Sequence, residues 1–275
     1  MTRILARIWN GPGGRLGLTL SAAVVLFALL GPLLAPDPDL IDVLARLEGP
    51  SLAHPLGTDN IGRDQLARLA LGTRTAFLYA LVIIAISATA GSLFGIAMGM
   101  AGGWADRIGT AVFDIASAFP PLILAFGLIA LYGSSPAIFI ILVAVVFTPS
   151  FGRTARARTL SLRHQSFIEA EQLLGLPPWR IMLVHVLPNV LPAVLVMGSM
   201  LIPSVITIEA GLSFLGLGVR PPAASLGTII KDGYQFLNLS PWIALNACLV
   251  LAAATLGSTL LGESLRRILD PKSAA

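Results

Sequence analysis

Residues 169–189 read EAEQLLGLPPWRIMLVHVLPN, a short polar stretch set between long apolar runs. Around it, residues 165–175 (QSFIEAEQLLG) have helical spacing. Phe167, Ala170, Leu173 and Leu174 fall on one face, and Glu169, Glu171 and Gln172 lie mostly on the other. Gly175 stands where a left-handed C-cap ends a helix. Pro177 and Pro178 then open a second helix, since proline is tolerated in a first turn. Pro188 marks the start of the next apolar run. The expectation is helix, glycine hinge, helix. Local physics leaves two readings open. One is an amphipathic helix lying on a membrane. The other is a connector that enters a partner's groove along Ala170 and Gly175 and meets basic groups on its rim with the acidic side chains.

The flanking runs decide the fold class. The chain has 275 residues, 56% of them hydrophobic and only 12% charged, where a soluble domain carries about 25% charged residues. Mean hydropathy is +0.85. Several uncharged runs are long enough to cross a bilayer, so the chain reads as an all-α polytopic membrane protein. The net charge of +4 fits basic residues held in cytoplasmic loops. No basic stripe is interleaved with aromatics, which argues against nucleic acid. Cys248 is the single cysteine, so an internal disulfide and any multi-cysteine metal site are excluded.

Six spans account for the pattern. Residues 1–16, with Arg3, Arg7 and Arg15, form an inner tail, and residues 17–35 an uncleaved first span. Residues 36–75 are an outer loop rich in Pro and Asp. Thr58 or Asp59 caps a short interfacial helix over about 61–71, with Ile61, Leu66, Leu69 and Ala70 as its apolar stripe. His54, Asp59 and Asp64 lack the tight spacing of metal ligands and read as loop and cap groups. A transmembrane core of five further helices follows over 76–262. In its first span Gly91, Gly95 and Gly99 recur every four residues, a small-residue ridge for close helix packing in lipid.

Residues 108–152 carry Asp114 as their only charge and hold two spans, kinked near Pro120-Pro121 and divided outside near Tyr132–Pro136. Asp114 falls near an inner helix end, where an interhelical hydrogen bond is the expected role. The loop 153–188 is the most basic and lies inside. The fifth span covers about 190–210, the Gly-rich stretch 211–218 makes a tight re-entrant or interfacial turn, and 220–240 form an outer loop. A last span starts near Trp242 and ends before the inner tail 263–275. This topology places most of the 18 basic residues inside, with both termini cytoplasmic.

The stretch 169–189 resembles the EAA loop of inner-membrane permease subunits of ABC importers. The family pattern is E-A-A, three residues, G, nine residues, then a hydrophobic-x-L-P group. Here it is Glu169-Ala170-Glu171, Gly175, then His185-Val186-Leu187-Pro188, with Trp179 and Arg180 between. The departure is Glu171, where the pattern has a second Ala. His185 and Asn189 resemble the oligopeptide, dipeptide and nickel branch, and other motifs resemble its C-type permease. They are His54-Pro55-Leu56-Gly57-Thr58-Asp59 with Gly62-Arg63-Asp64, and Gly102-Gly103-Trp104 with Asp106. Further on come Glu209, Ser213-Phe214-Leu215-Gly216-Leu217-Gly218 with Pro221-Pro222, and Gly262, Leu265-Arg266 and Asp270-Pro271. Leu226 stands where the family commonly has Trp.

The resemblance implies the type I ABC importer permease fold and a multi-pass place in a bacterial inner membrane. It implies a B-type permease as heterodimer partner, two ATP-binding subunits below and an extracytoplasmic solute-binding protein above. It makes this chain a non-catalytic half of the pathway, with 165–186 as the ATPase-coupling loop. The chain has no G-x-x-x-x-G-K-[ST] loop, so ATP and Mg belong to the partners and no cofactor is expected here. Peptides are the first expectation for cargo, and nickel or a metal chelate the second. A stand-alone secondary transporter or channel would need ionisable groups near mid-membrane. Asp114 and Glu209, the candidates, both fall near predicted span ends.

Overall fold

Helix follows helix through the structure, a computed structural model that describes residues 8–9, 11–34, 37–133 and 135–269. The helices are α1 (Pro12–Leu34), α2 (Gln65–Ala101), α3 (Gly103–Ala118), α4 (Pro121–Tyr132), α5 (Pro136–Leu162), α6 (Ser166–Leu173), α7 (Pro178–Phe214), α8 (Leu226–Gln235) and α9 (Trp242–Leu269). Among the described residues the only sheet-like pairing is one isolated bridge between Thr58 and Asp64. Among the described residues five helices, α1, α2, α5, α7 and α9, are long and apolar enough to cross a membrane.

The glycine ridge organises the bundle. A Cβ added at Gly91 would lie 2.8 Å from the Phe151 side chain and 2.9 Å from the Gly152 backbone nitrogen. At Gly95 it would meet the backbone at Gly152 and Arg156, and at Gly99 the Thr159 side chain. The hydroxyl of Ser87 also donates to the Ala144 carbonyl at 2.9 Å, and Tyr79 stacks at a tilt on Phe139. These contacts advance together along both chains, so α2 and α5 run parallel. Bare backbone on one helix lets the other approach where lipid supplies no hydrophobic drive.

A parallel pair requires the connecting chain to travel back along it. That return is made by α3 and α4. The sequence predicts one kinked span here, and the structure has two helices, 16 and 12 residues long, broken at Phe119-Pro120. Proline at 120 removes a backbone donor, and Pro121 starts the new helix in its first turn. The return helix is tied to α5 by ion pairs: Asp106 with Arg156, Nη2 at 2.6 Å, and Asp114 with Arg153 at 3.1 Å.

Three expectations change. The short interfacial helix over 61–71 does not form as a separate element. The helix begins at Gln65, capped by Asp64 rather than Thr58 or Asp59, and runs on to Ala101. Its first turns are covered from all sides, with Leu69 and Ala70 fully buried, so they do not lie on a membrane surface. Second, the expected turn over 211–218 starts late, because α7 remains helical to Phe214. Third, the loop 220–240 contains α8, fastened by a capping box between Ser225 and Thr228.

Two cores result. The larger joins α2, α5 and α7 through Ile83, Phe147, Phe151, Val190 and Ile206. The smaller caps one end of the bundle, where Leu226 and Ile229 of α8 meet Leu69 of α2 and Ile243 and Ala247 of α9. Leu226, the departure from the family's Trp, is fully buried there. The start of α1 lies beside the end of α9, as Gly17 faces Leu260 and Leu261. Of the predicted inner tails, residues 1–7, 10 and 270–275 fall outside the described residues, while 12–16 belong to α1 and 263–269 to α9.

Candidate functional site

Two clusters of sequence motifs sit at opposite ends of the bundle. At the end where α2 and α5 finish, α6 follows α5 after a short turn. α6 closes with a Schellman-type arrangement: Gly175 N–H donates to Gln172 O at 3.0 Å and Leu176 N–H to Glu171 O at 3.2 Å. Gly175 has φ +74°, the left-handed conformation that glycine adopts without steric cost. α7 then starts at Pro178 and runs as one rod of 37 residues, about 55 Å at 1.5 Å per residue. The predicted second helix and fifth span are therefore continuous. Within the rod, Ile181–Val186 form a π-helical turn, closed by Leu187 N–H on Met182 O. Pro188 lies two residues beyond that turn and has no N–H to continue an α-helical ladder there.

The faces of α6 differ from the amphipathic expectation. Ile168, not singled out by the sequence reading, points inward and is 0% exposed, in the core with Ile181 and Val186. Glu171 lies one turn on from Ile168, on the same face. Its carboxylate oxygen Oε1 is 3.0 Å from His185 Nδ1 in the π turn. His185 is held in turn by its own carbonyl, which accepts from Asn189 Nδ2 at 2.7 Å. The acidic side of α6 is thus partly turned into the protein. The opposite side is apolar and open: Leu173 is 89% exposed and Leu174 78% exposed, with Phe167, Glu169 and Ala170 also exposed. Trp179 and Arg180 are exposed in the first turn of α7, and Leu187 packs against the main core.

At the other end, Gly57, Thr58, Asp59, Gly62, Arg63 and Asp64 build one knot. Thr58 Oγ1 donates to Ala45 O and accepts from Glu48 N–H. Asp59 accepts from the backbone N–H of Ile61 and Arg63, and its Oδ2 lies 2.6 Å from Arg63 Nε and 3.7 Å from Arg68 Nε. Asp64 caps α2 through Ala67 N–H and pairs with His54 at 2.9 Å. Gly57 and Gly62 have φ +82° and +88°. His54, Asp59 and Asp64, weighed above as metal ligands, are engaged with these partners. No group of three metal-binding side chains occurs among the described residues. Arg68 reaches Asp39 as well, a link of 29 residues that the sequence did not signal.

The turn after α7 closes on Glu209, which is 0% exposed. Its Oε1 accepts from Ser213 Oγ and Ser225 Oγ, both at 2.8 Å, and Ser213 Oγ accepts from Val219 N–H. Phe214 meets Tyr234 edge-on at 6.3 Å. Gly216 is left-handed at φ +83°, and a side chain at Gly218 would collide with Ser213. Next to this turn, burial pushes the Asp232 carboxyl above its ordinary range, and nearby Arg63 offsets part of that rise.

The sequence matches a family model described as "Binding-protein-dependent transport system inner membrane component" over residues 91–274. It is 34% identical to the probable D,D-dipeptide transport system permease protein DdpC of Escherichia coli (strain K12), covering 97% of this chain and 91% of that protein. It is 36% identical to the glutathione transport system permease protein GsiD of Pectobacterium atrosepticum, covering 82% and 75%. It is 32% identical to the oligopeptide transport system permease protein OppC of Haemophilus influenzae, covering 97% and 86%. Among solved structures, an inward-facing form of the MetNI methionine ABC transporter matches with a TM-score of 0.52 at 18% identity. That match covers 71% of this chain and 95% of that one, and it bears on the fold alone.

Proposed function

The chain belongs to the family of binding-protein-dependent transport system inner membrane components, and on that premise we propose that it is the C-type permease of a di- or oligopeptide importer. It forms half of a translocation pathway with a B-type permease. Two ATPase subunits, which carry ATP and Mg, dock from the cytoplasm, and a solute-binding protein delivers cargo from outside. Peptide is the cargo class because several relatives similar over most of this chain are named for the transport of dipeptides, glutathione and oligopeptides.

The observation that carries the coupling role is the inverted amphipathicity of α6. A short helix with an exposed apolar face and an inward-turned carboxylate is suited to be gripped by a partner protein. Ala170 lets that partner approach the backbone closely. Ile168 supplies the hold on the bundle, where a fully buried Ile contributes about 1.5–3 kcal/mol.

ATP-driven closure of the ATPase subunits moves α6, and α7 carries the displacement along its length to Glu209 and the outer turn. The pathway alternates because ATP and cargo have different affinities for the two states. Six crossings are supported by the parallel course of α2 and α5, which requires α3 and α4 to cross back. Termini on one side, the cytoplasmic one, are supported by the start of α1 lying beside the end of α9. Uptake of a labelled dipeptide by proteoliposomes holding the complete transporter and its binding protein tests the reading. ATP-dependent accumulation is expected. Accumulation that ignores ATP contradicts it.

A further inference from the structure

We propose that Glu171 and His185 are a positioning pair that locks α6 to α7, so that a pull on α6 moves the transmembrane rod as one body. The inference rests on the coupling role proposed above and names the residues that make it stiff. With only eight residues, α6 cannot hold its own shape or orientation in water. Its hold on the bundle comes from one face, through Ile168 and, a turn later, Glu171. Ile168 alone is a non-directional plug about which the helix could roll. A close polar contact at the second point, Glu171 Oε1 at 3.0 Å from His185 Nδ1, fixes the roll.

Three features show that the pair is built in. Glu171 is engaged twice, since its carbonyl also receives Leu176 N–H in the closure of the helix. The other carboxylate oxygen, Oε2, is buried without a partner, so Glu171 is committed to His185 and is not spare charge for a partner's rim. A largely buried carboxylate that lost its polar neighbour would be left poorly compensated. His185, for its part, is set by the π turn and by Asn189. The pair also accounts for the one place where this loop departs from the E-A-A pattern. Glu171 replaces a small contact residue because its side chain turns away from the docking face and toward α7.

The pair makes an unusual forecast: Glu171→Ala, which restores the family pattern, should impair this protein. The complete transporter, carrying Cys248→Ser, is spin-labelled at Ser166→Cys on α6 and Leu195→Cys on α7, both exposed positions. The parent should give one narrow distance. Glu171→Ala and Glu171→Gln should broaden it, and the exchanged pair Glu171→His with His185→Glu should narrow it again. Cargo moved per ATP hydrolysed should fall on the order of tenfold in Glu171→Ala and recover in the exchanged pair.

An unchanged distance distribution, or parental cargo per ATP in Glu171→Ala, overturns the proposal. Leu174→Asp on the open face separates the two levels of inference. If Leu174→Asp abolishes uptake while Glu171→Ala is silent, the pair falls and the coupling role stands. If Leu174→Asp transports normally, the coupling role fails and the pair proposal falls with it.

Discussion

The hydroxyl of Ser225 donates to Oε1 of Glu209 at 2.8 Å across 16 residues of sequence, and Ser213 donates to the same oxygen. One buried oxygen therefore fastens both ends of the turn that joins α7 to α8. Replacing Glu209 with Ala leaves two buried hydroxyls without their acceptor, each costing about 1–3 kcal/mol. Glu209→Ala should lower the thermal unfolding midpoint of the purified complex, followed by tryptophan fluorescence. Glu209→Gln keeps an acceptor and should recover most of the loss.

The α2–α5 contact gives a second test. A Cβ at Gly95 meets the backbone of α5, which cannot yield as a flexible side chain would, while one at Gly211 on α7 meets nothing within 4 Å. Gly95→Ala should destabilise by about 1–3 kcal/mol through overpacking. Gly211→Ala, in an open helical position, should stabilise by about 0.5–1 kcal/mol. Unfolding of the two variants side by side in detergent checks both signs.

Asp232 gives a test with a pH sign. Its folded-state pKa is raised by burial, so the folded state holds this proton more tightly than the unfolded state. The contribution to stability is fully present below the ordinary Asp value of about 3.9 and is lost as pH rises through the folded value. Asp232→Asn removes that dependence. The variant should unfold at a higher temperature than the parent near neutral pH, and the gap should close near pH 4. A gap that widens on acidification would contradict this reading.

Much of this architecture is legible in residues. The Gly91, Gly95 and Gly99 ridge was visible because small residues every four positions leave one helical stripe bare. The Gly175 cap and the Trp242 start were visible for similarly local reasons. Other features depend on tertiary context. A break at Phe119-Pro120 does not alter hydropathy, so two short helices read as one span. The ten residues of α8 place Lys231 and Asp232 beside an apolar stripe and read as loop, although Ser225 and Thr228 carried a capping signal. The orientation of α6 was hidden for a deeper reason. Pattern reading assumes that all the apolar residues turn inward, and in α6 Ile168 does so together with the carboxylate of Glu171, which meets His185 from 14 residues further on, while Leu173 and Leu174 stay outside.

Gly175 has open space around it, so its requirement is one of backbone conformation alone. Gly175→Ala should cost about 1–2 kcal/mol for the left-handed conformation and lower uptake without loss of the complex from the membrane. Gly175→Leu adds bulk beside the docking face and should abolish uptake. Membrane-fraction blots together with uptake assays distinguish these outcomes from misfolding.

The central claim is that the open apolar face of α6 is where ATPase subunits grip the permease. Its most direct measurement is uptake of a labelled dipeptide by proteoliposomes carrying the complete transporter with Leu173→Asp and Leu174→Asp together. Permease assembly should be monitored by co-purification of the partner permease. The account predicts that the two permeases still assemble, the ATPase subunits are lost and uptake ceases. Uptake at the parental rate by the doubly substituted transporter would contradict it.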